Sequence, residues 1–67
     1  MPIGIVKTWL EDRGFGFVQP DEGGADVFVH AKNVDGASEL IPGQMVEYES
    51  VFDRERGKWH GINVRVI

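Results

Sequence analysis

Four phenylalanines and two histidines are the side chains of this sequence best suited to chemistry, and that chemistry is stacking. Phe15 and Phe17 stand two apart in Gly14-Phe15-Gly16-Phe17-Val18, and Phe28 and His30 stand two apart in Val27-Phe28-Val29-His30. Side chains of a strand alternate between its faces, so each pair shares one face and the valines take the other. If the rings faced inward, Val18, Val27 and Val29 would sit in water around bare glycine. If the valines face inward with Val6, Val46, Ile62 and Val64, they form a β-branched core of the width a small barrel needs. Gly16 then allows the strand to bend. Phe15, Phe17, Phe28 and His30 are left together on the outside, and a contiguous apolar patch on a small protein marks a binding surface.

Positioning such a patch requires a rigid sheet, and turn residues recurring roughly every 8 to 12 positions indicate an all-β sandwich or barrel. The strands expected are Ile3–Trp9, Gly14–Gln19, Asp26–His30, Gln44–Phe52 and about His60–Val66. Polar turns separate them: Glu11-Asp12-Arg13, Pro20 to Gly24, and Asp53 to Lys58. The connection from Ala31 to Gly43 has room for one short helical turn between Asn33 and Leu40. Tyr48 shares parity with Val46, and both Tyr48 and Phe52 are expected in the core. One domain spanning residues 1–67 is expected, with no repeat or linker.

Composition narrows the function. Seven Lys and Arg face eleven Asp and Glu, a net charge of −4. A protein that grips duplex DNA through its phosphates would be basic. Binding by an acidic chain must rest on base stacking. The chain has no cysteine, which removes disulfides, thiolate nucleophiles and cysteine metal sites. His30 and His60 lack a metal-ligand spacing, so no metal and no cofactor are expected. No apolar run suggests a signal peptide or a membrane span, and a cytoplasmic location is expected. The acid pairs Glu11-Asp12 and Asp21-Glu22 fall in turns, and no catalytic set or phosphate loop appears. An enzyme acting on a small-molecule substrate is not expected.

These residues resemble the bacterial cold-shock proteins and the cold-shock domain. RGFGFV at 13–18 is similar to the family's first ribonucleoprotein motif, and DVFVH at 26–30 to its second. PDEGGADVFVH, the start at Gly4, Val6 and Lys7, PGQMV at 42–46 and Asn63-Val64 carry the resemblance along nearly the whole chain. It implies a five-stranded antiparallel Greek-key barrel of the OB type. It also implies binding of single-stranded RNA and DNA with low sequence preference, as an RNA chaperone or a regulator of transcription or translation. By the resemblance Phe15, Phe17, Phe28 and His30 form the stacking platform. Lys7 contacts a phosphate or base, and His60 contacts a base edge where the family often has glutamine. Arg13, Lys58 and Arg56 are further candidates for phosphate.

The departures are specific. Thr8 replaces the family's tryptophan after the lysine, Leu10 stands where asparagine is common, and Ala31 replaces a phenylalanine. The connection from 31 to 43 is about two residues short and lacks its phenylalanine. Trp59 stands where the family is not aromatic and can restore a stacking position. Lys7 and Trp9 share parity, so an unbroken first strand puts Trp9 outside beside Phe17, taking over the role left by Thr8. A bulge would instead turn it inward. The other function class open on these residues is a protein-interaction or structural OB barrel with weakened nucleic-acid binding. Oligomeric state is left open, with a monomer as the default.

Overall fold

The structure, a computed structural model, describes residues 2–67. It has five strands: β1 (Ile3–Leu10), β2 (Phe15–Pro20), β3 (Val27–His30), β4 (Met45–Asp53) and β5 (Lys58–Val66). They close into a barrel in the order β1-β2-β3-β5-β4. The expected five-stranded barrel forms, with one seam that departs from antiparallel: β3 and β5 run parallel, in register at Phe28 and His60. The chain reaches β4 by crossing from β3 through residues 31–44. The short turn in this crossing is a 3₁₀ turn at Ala31–Asn33, earlier than expected. His30 caps it, its Nδ1 accepting the Lys32 N–H at 3.2 Å.

The valine arithmetic holds in β1 to β4. Val6, Val18, Val27, Val29, Val46 and Val64 are buried, with Tyr48, Val34 and Leu40 completing the core. Ile62 is a correction. It is only half-buried, and Gly61 faces inward in its place. The cause is Asn63, whose φ of 51° is left-handed and breaks the alternation of β5. Beyond it Val64 returns to the core and bridges Val34, and its carbonyl accepts the Asp35 N–H at 2.8 Å.

Phe52 is the second correction. Burial in β4 ends at Tyr48, and residues 49–52 are exposed because the β4–β5 hairpin runs on past the barrel. Phe52 pairs there with Trp59 on the neighbouring strand.

The third correction concerns Trp9. β1 pairs Val6 with Val18 but Thr8 with Phe17, so Lys7 is the extra residue of a β-bulge. Parity shifts by one after it. Thr8 is exposed opposite Phe17, and Trp9 turns inward against the core. Gly16 is required by this contact: a Cβ there would lie 2.2 Å from the Thr8 carbonyl and 2.6 Å from Trp9 Cε3. Close approach of β1, more than strand bending, is what demands glycine. The Trp9 indole Nε1 is buried without a hydrogen-bond partner.

Candidate nucleic-acid interface

Pairing of β2 with β3 builds the centre of the site. Phe17 stands opposite Phe28, and Phe15 opposite His30. The opposite sides of these strands carry Gly16, Val18, Val27 and Val29 into the core, so the rings cannot follow. All four aromatic side chains are half-buried: their edges rest on the sheet and on each other while their outer surfaces stay open. Phe15 and Phe28 lie 5.2 Å apart between centroids at 39°. Phe17 meets Phe28 edge-on at 5.9 Å and Phe15 at 6.2 Å. Contacts of this kind hold each ring by its neighbours.

The parallel seam adds the next side chain, setting His60 beside Phe28. Together Phe15, Phe17, Phe28, Lys58, Trp59 and His60 line a groove of about 330 Å³, with Asp53 and Arg56 at its rim. Lys58 and Arg56 supply positive charge over apolar rings, the pairing needed to hold a base and its phosphate. Asp53 is committed to the turn: its Oδ1 accepts the N–H groups of Glu55 at 3.0 Å and Arg56 at 3.3 Å. Its other oxygen lies 3.8 Å from Arg56 Nε, a surface ion pair. His30 Nδ1 is occupied as an acceptor, which leaves Nε2 to donate.

Other expected residues stand apart from this groove. Lys7 is exposed at the bulge and ion-paired to Asp26 at 3.1 Å. Arg13 is exposed in the β1–β2 turn. Trp9 lies under the sheet. Asp53 had no signal in sequence beyond its turn position, and it enters the groove because β5 pairs beside β3 and carries the β4–β5 hairpin with it.

A larger groove of about 530 Å³ lies on the other side of Trp59, between the 21–25 loop and Tyr48 and Ser50. Asp21 and Glu22 border it, so it repels phosphate. Burial pushes the Tyr48 phenol above its ordinary pKa, and Glu22 adds to the shift. Among the described residues no cluster of three or more His, Asp or Glu could hold a metal, and no helix is long and apolar enough to cross a membrane.

A protein-family model described as the 'Cold-shock' DNA-binding domain matches residues 3–67. A probable cold shock protein of Sinorhizobium fredii is 48% identical over 67 residues, covering 97% of each chain. The cold shock protein CspA of Rhizobium meliloti is 46% identical, again over 97% of both. Among solved structures, drosophila Unr CSD456 superposes with a TM-score of 0.78 and 24% identity. That match covers 98% of this chain but 26% of the other, and it speaks for the fold alone.

Proposed function

Since the chain belongs to the cold-shock domain family, whose members bind nucleic acid and are not enzymes, we propose that it binds single-stranded RNA and DNA by stacking bases on Phe15, Phe17 and Phe28. The observation that carries this reading is the cluster of three open rings at 5.2 to 6.2 Å on the outer face of β2 and β3. Each stacked base contributes about 1–3 kcal/mol whatever its identity, so the surface discriminates little between sequences. His30, His60 and Trp59 border the rings and add base contacts. Lys58 and Arg13 take phosphates, with Lys7 and Arg56 in reserve behind their ion pairs to Asp26 and Asp53. Trp9 supports the platform from below. In the cell the protein acts as one cold-shock domain in the cytoplasm, keeping RNA unpaired or regulating transcription or translation.

Titration with oligo-dT tests this, read by fluorescence of a labelled oligonucleotide. Saturable binding that Phe17→Ala weakens supports it, and a flat response refutes it. A second reading, a barrel that serves protein contacts, is favoured by two observations: Thr8 leaves the exposed position opposite Phe17 without a ring, and the net charge is −4. A flat titration would favour that reading.

A further inference from the structure

The end of the β4–β5 hairpin carries two aromatic rings, of which Trp59 reaches the platform groove and Phe52 does not. Phe52 and Trp59 face each other across the strands, 5.2 Å between centroids at 63°. They are 45% and 43% exposed. We propose that this pair is a second base-stacking station for single-stranded nucleic acid, lying beyond the three-phenylalanine platform and continuous with it. The proposal rests on the base-stacking function above.

Continuity comes from Trp59. It lines the groove that holds Phe15, Phe17 and Phe28, and it also forms the wall of the larger groove on its far side. A strand leaving the platform past His60 and Lys58 therefore meets Trp59, and Phe52 next to it. Charge decides where the strand goes from there. Asp21 and Glu22 border the larger groove and turn phosphates away. The hairpin tip has the opposite sign: Arg54, Arg56 and Lys58 against Asp53 and Glu55 leave residues 53–58 with a net charge of +1. Arg56 is held by Asp53, whereas Arg54 and Lys58 have no ion-pair partner among the described residues. Exposed rings beside unpaired cations are the combination that binds single strands. The rival role is a staple, because cross-strand aromatic pairs also steady a hairpin. A staple needs neither the cations nor the path from the platform.

The two roles separate by oligonucleotide length. Labelled oligo-dT of about four nucleotides fits on the platform, and one of about eight also reaches the hairpin. Anisotropy titrations should show Phe52→Ala weakening the longer oligonucleotide about fivefold or more while leaving the shorter one unchanged. Phe52→Val, which keeps a strand-forming apolar side chain without a ring, should match alanine, and Phe52→Tyr should restore the wild-type difference. Arg54→Ser should weaken only the longer ligand. Equal weakening of both lengths by Phe52→Ala would mean that Phe52 merely holds Trp59 in the groove, and the station would be refuted. An unchanged affinity for both, with a lowered melting temperature, would establish the staple instead. If the wild-type chain binds neither length, the stacking function itself falls and the station with it.

Discussion

Positions 8 and 9 of β1 should respond to substitution in opposite ways, because the bulge at Lys7 gives them opposite faces. Trp9 packs on the core with its ring against Gly16, so Trp9→Ala opens a void beneath the platform. Buried Trp→Ala changes cost about 3–5 kcal/mol, and the partial exposure of Trp9 argues for the lower end, about 3. A core of this size supplies only about 3–5 kcal/mol in total. Trp9→Ala should therefore remove most of the stability and lower the urea midpoint by about 3 M, for an m-value near 1 kcal/mol/M. Trp9→Phe should retain a folded protein. Thr8 is exposed opposite Phe17, so Thr8→Trp adds a ring to the open surface and should leave the midpoint nearly unmoved, within about 0.5 kcal/mol. One further stacked base at about 1–3 kcal/mol corresponds to a gain of roughly 5- to 150-fold in affinity. The assays are urea unfolding followed by far-ultraviolet circular dichroism, and anisotropy of a labelled oligo-dT, which does not depend on the tryptophans. The reasoning is refuted if Trp9→Ala costs affinity with the midpoint unmoved, since the indole would then lie outside. It is also refuted if Thr8→Trp binds no more tightly than wild type.

Phe17→Ala and Phe28→Ala should each weaken oligo-dT binding by about 1–3 kcal/mol, with a smaller loss of stability, and unfolding without loss of affinity per folded molecule would contradict this. Affinity should fall gently with salt, at a slope of about −0.7 to −1.4 in log–log form for one or two phosphate contacts, and a slope equivalent to five contacts would overturn a stacking-dominated account. Alkaline stability should follow Tyr48. Its folded-state pKa lies above the ordinary 10.0, so the fold favours the neutral phenol. That contribution is complete below the unfolded value and is lost as pH rises through the folded one. Urea midpoints measured across this range should show the loss, and Tyr48→Phe should reduce it.

Much of the barrel was legible because Val6, Val18, Val27, Val29 and Val46 obey a strict period of two, and on β2 and β3 the same period brings the phenylalanines together. Where that period breaks, nothing local announces it. Lys7 is an ordinary strand residue, and its role as the extra residue of a bulge is set by how β1 meets both β2 and β4. That one insertion reverses Thr8 and Trp9. At Asn63 a left-handed backbone displaces Ile62 from the core in favour of Gly61. Phe52 keeps the parity of Tyr48 but lies beyond the reach of the core, a fact of strand length that alternation does not carry. Val34 and Leu40 are buried from a segment with no periodicity at all. The groove has the same origin: Asp53, Arg56 and Trp59 approach the phenylalanines only through closure of the barrel.

The parallel seam has a consequence for motion. β3 is four residues long and meets β5 in register at a single pair, Phe28 with His60. Every other seam is antiparallel and joined by at least three pairs. Sub-global opening follows thinly paired boundaries, so the seam between β3 and β5 is a place where the barrel should open locally. Phe28 and His60 both line the groove proposed to bind nucleic acid. A ligand that touches both spans this seam and closes it, so occupancy of the surface and slow amide hydrogen exchange along β3 become one thermodynamic quantity.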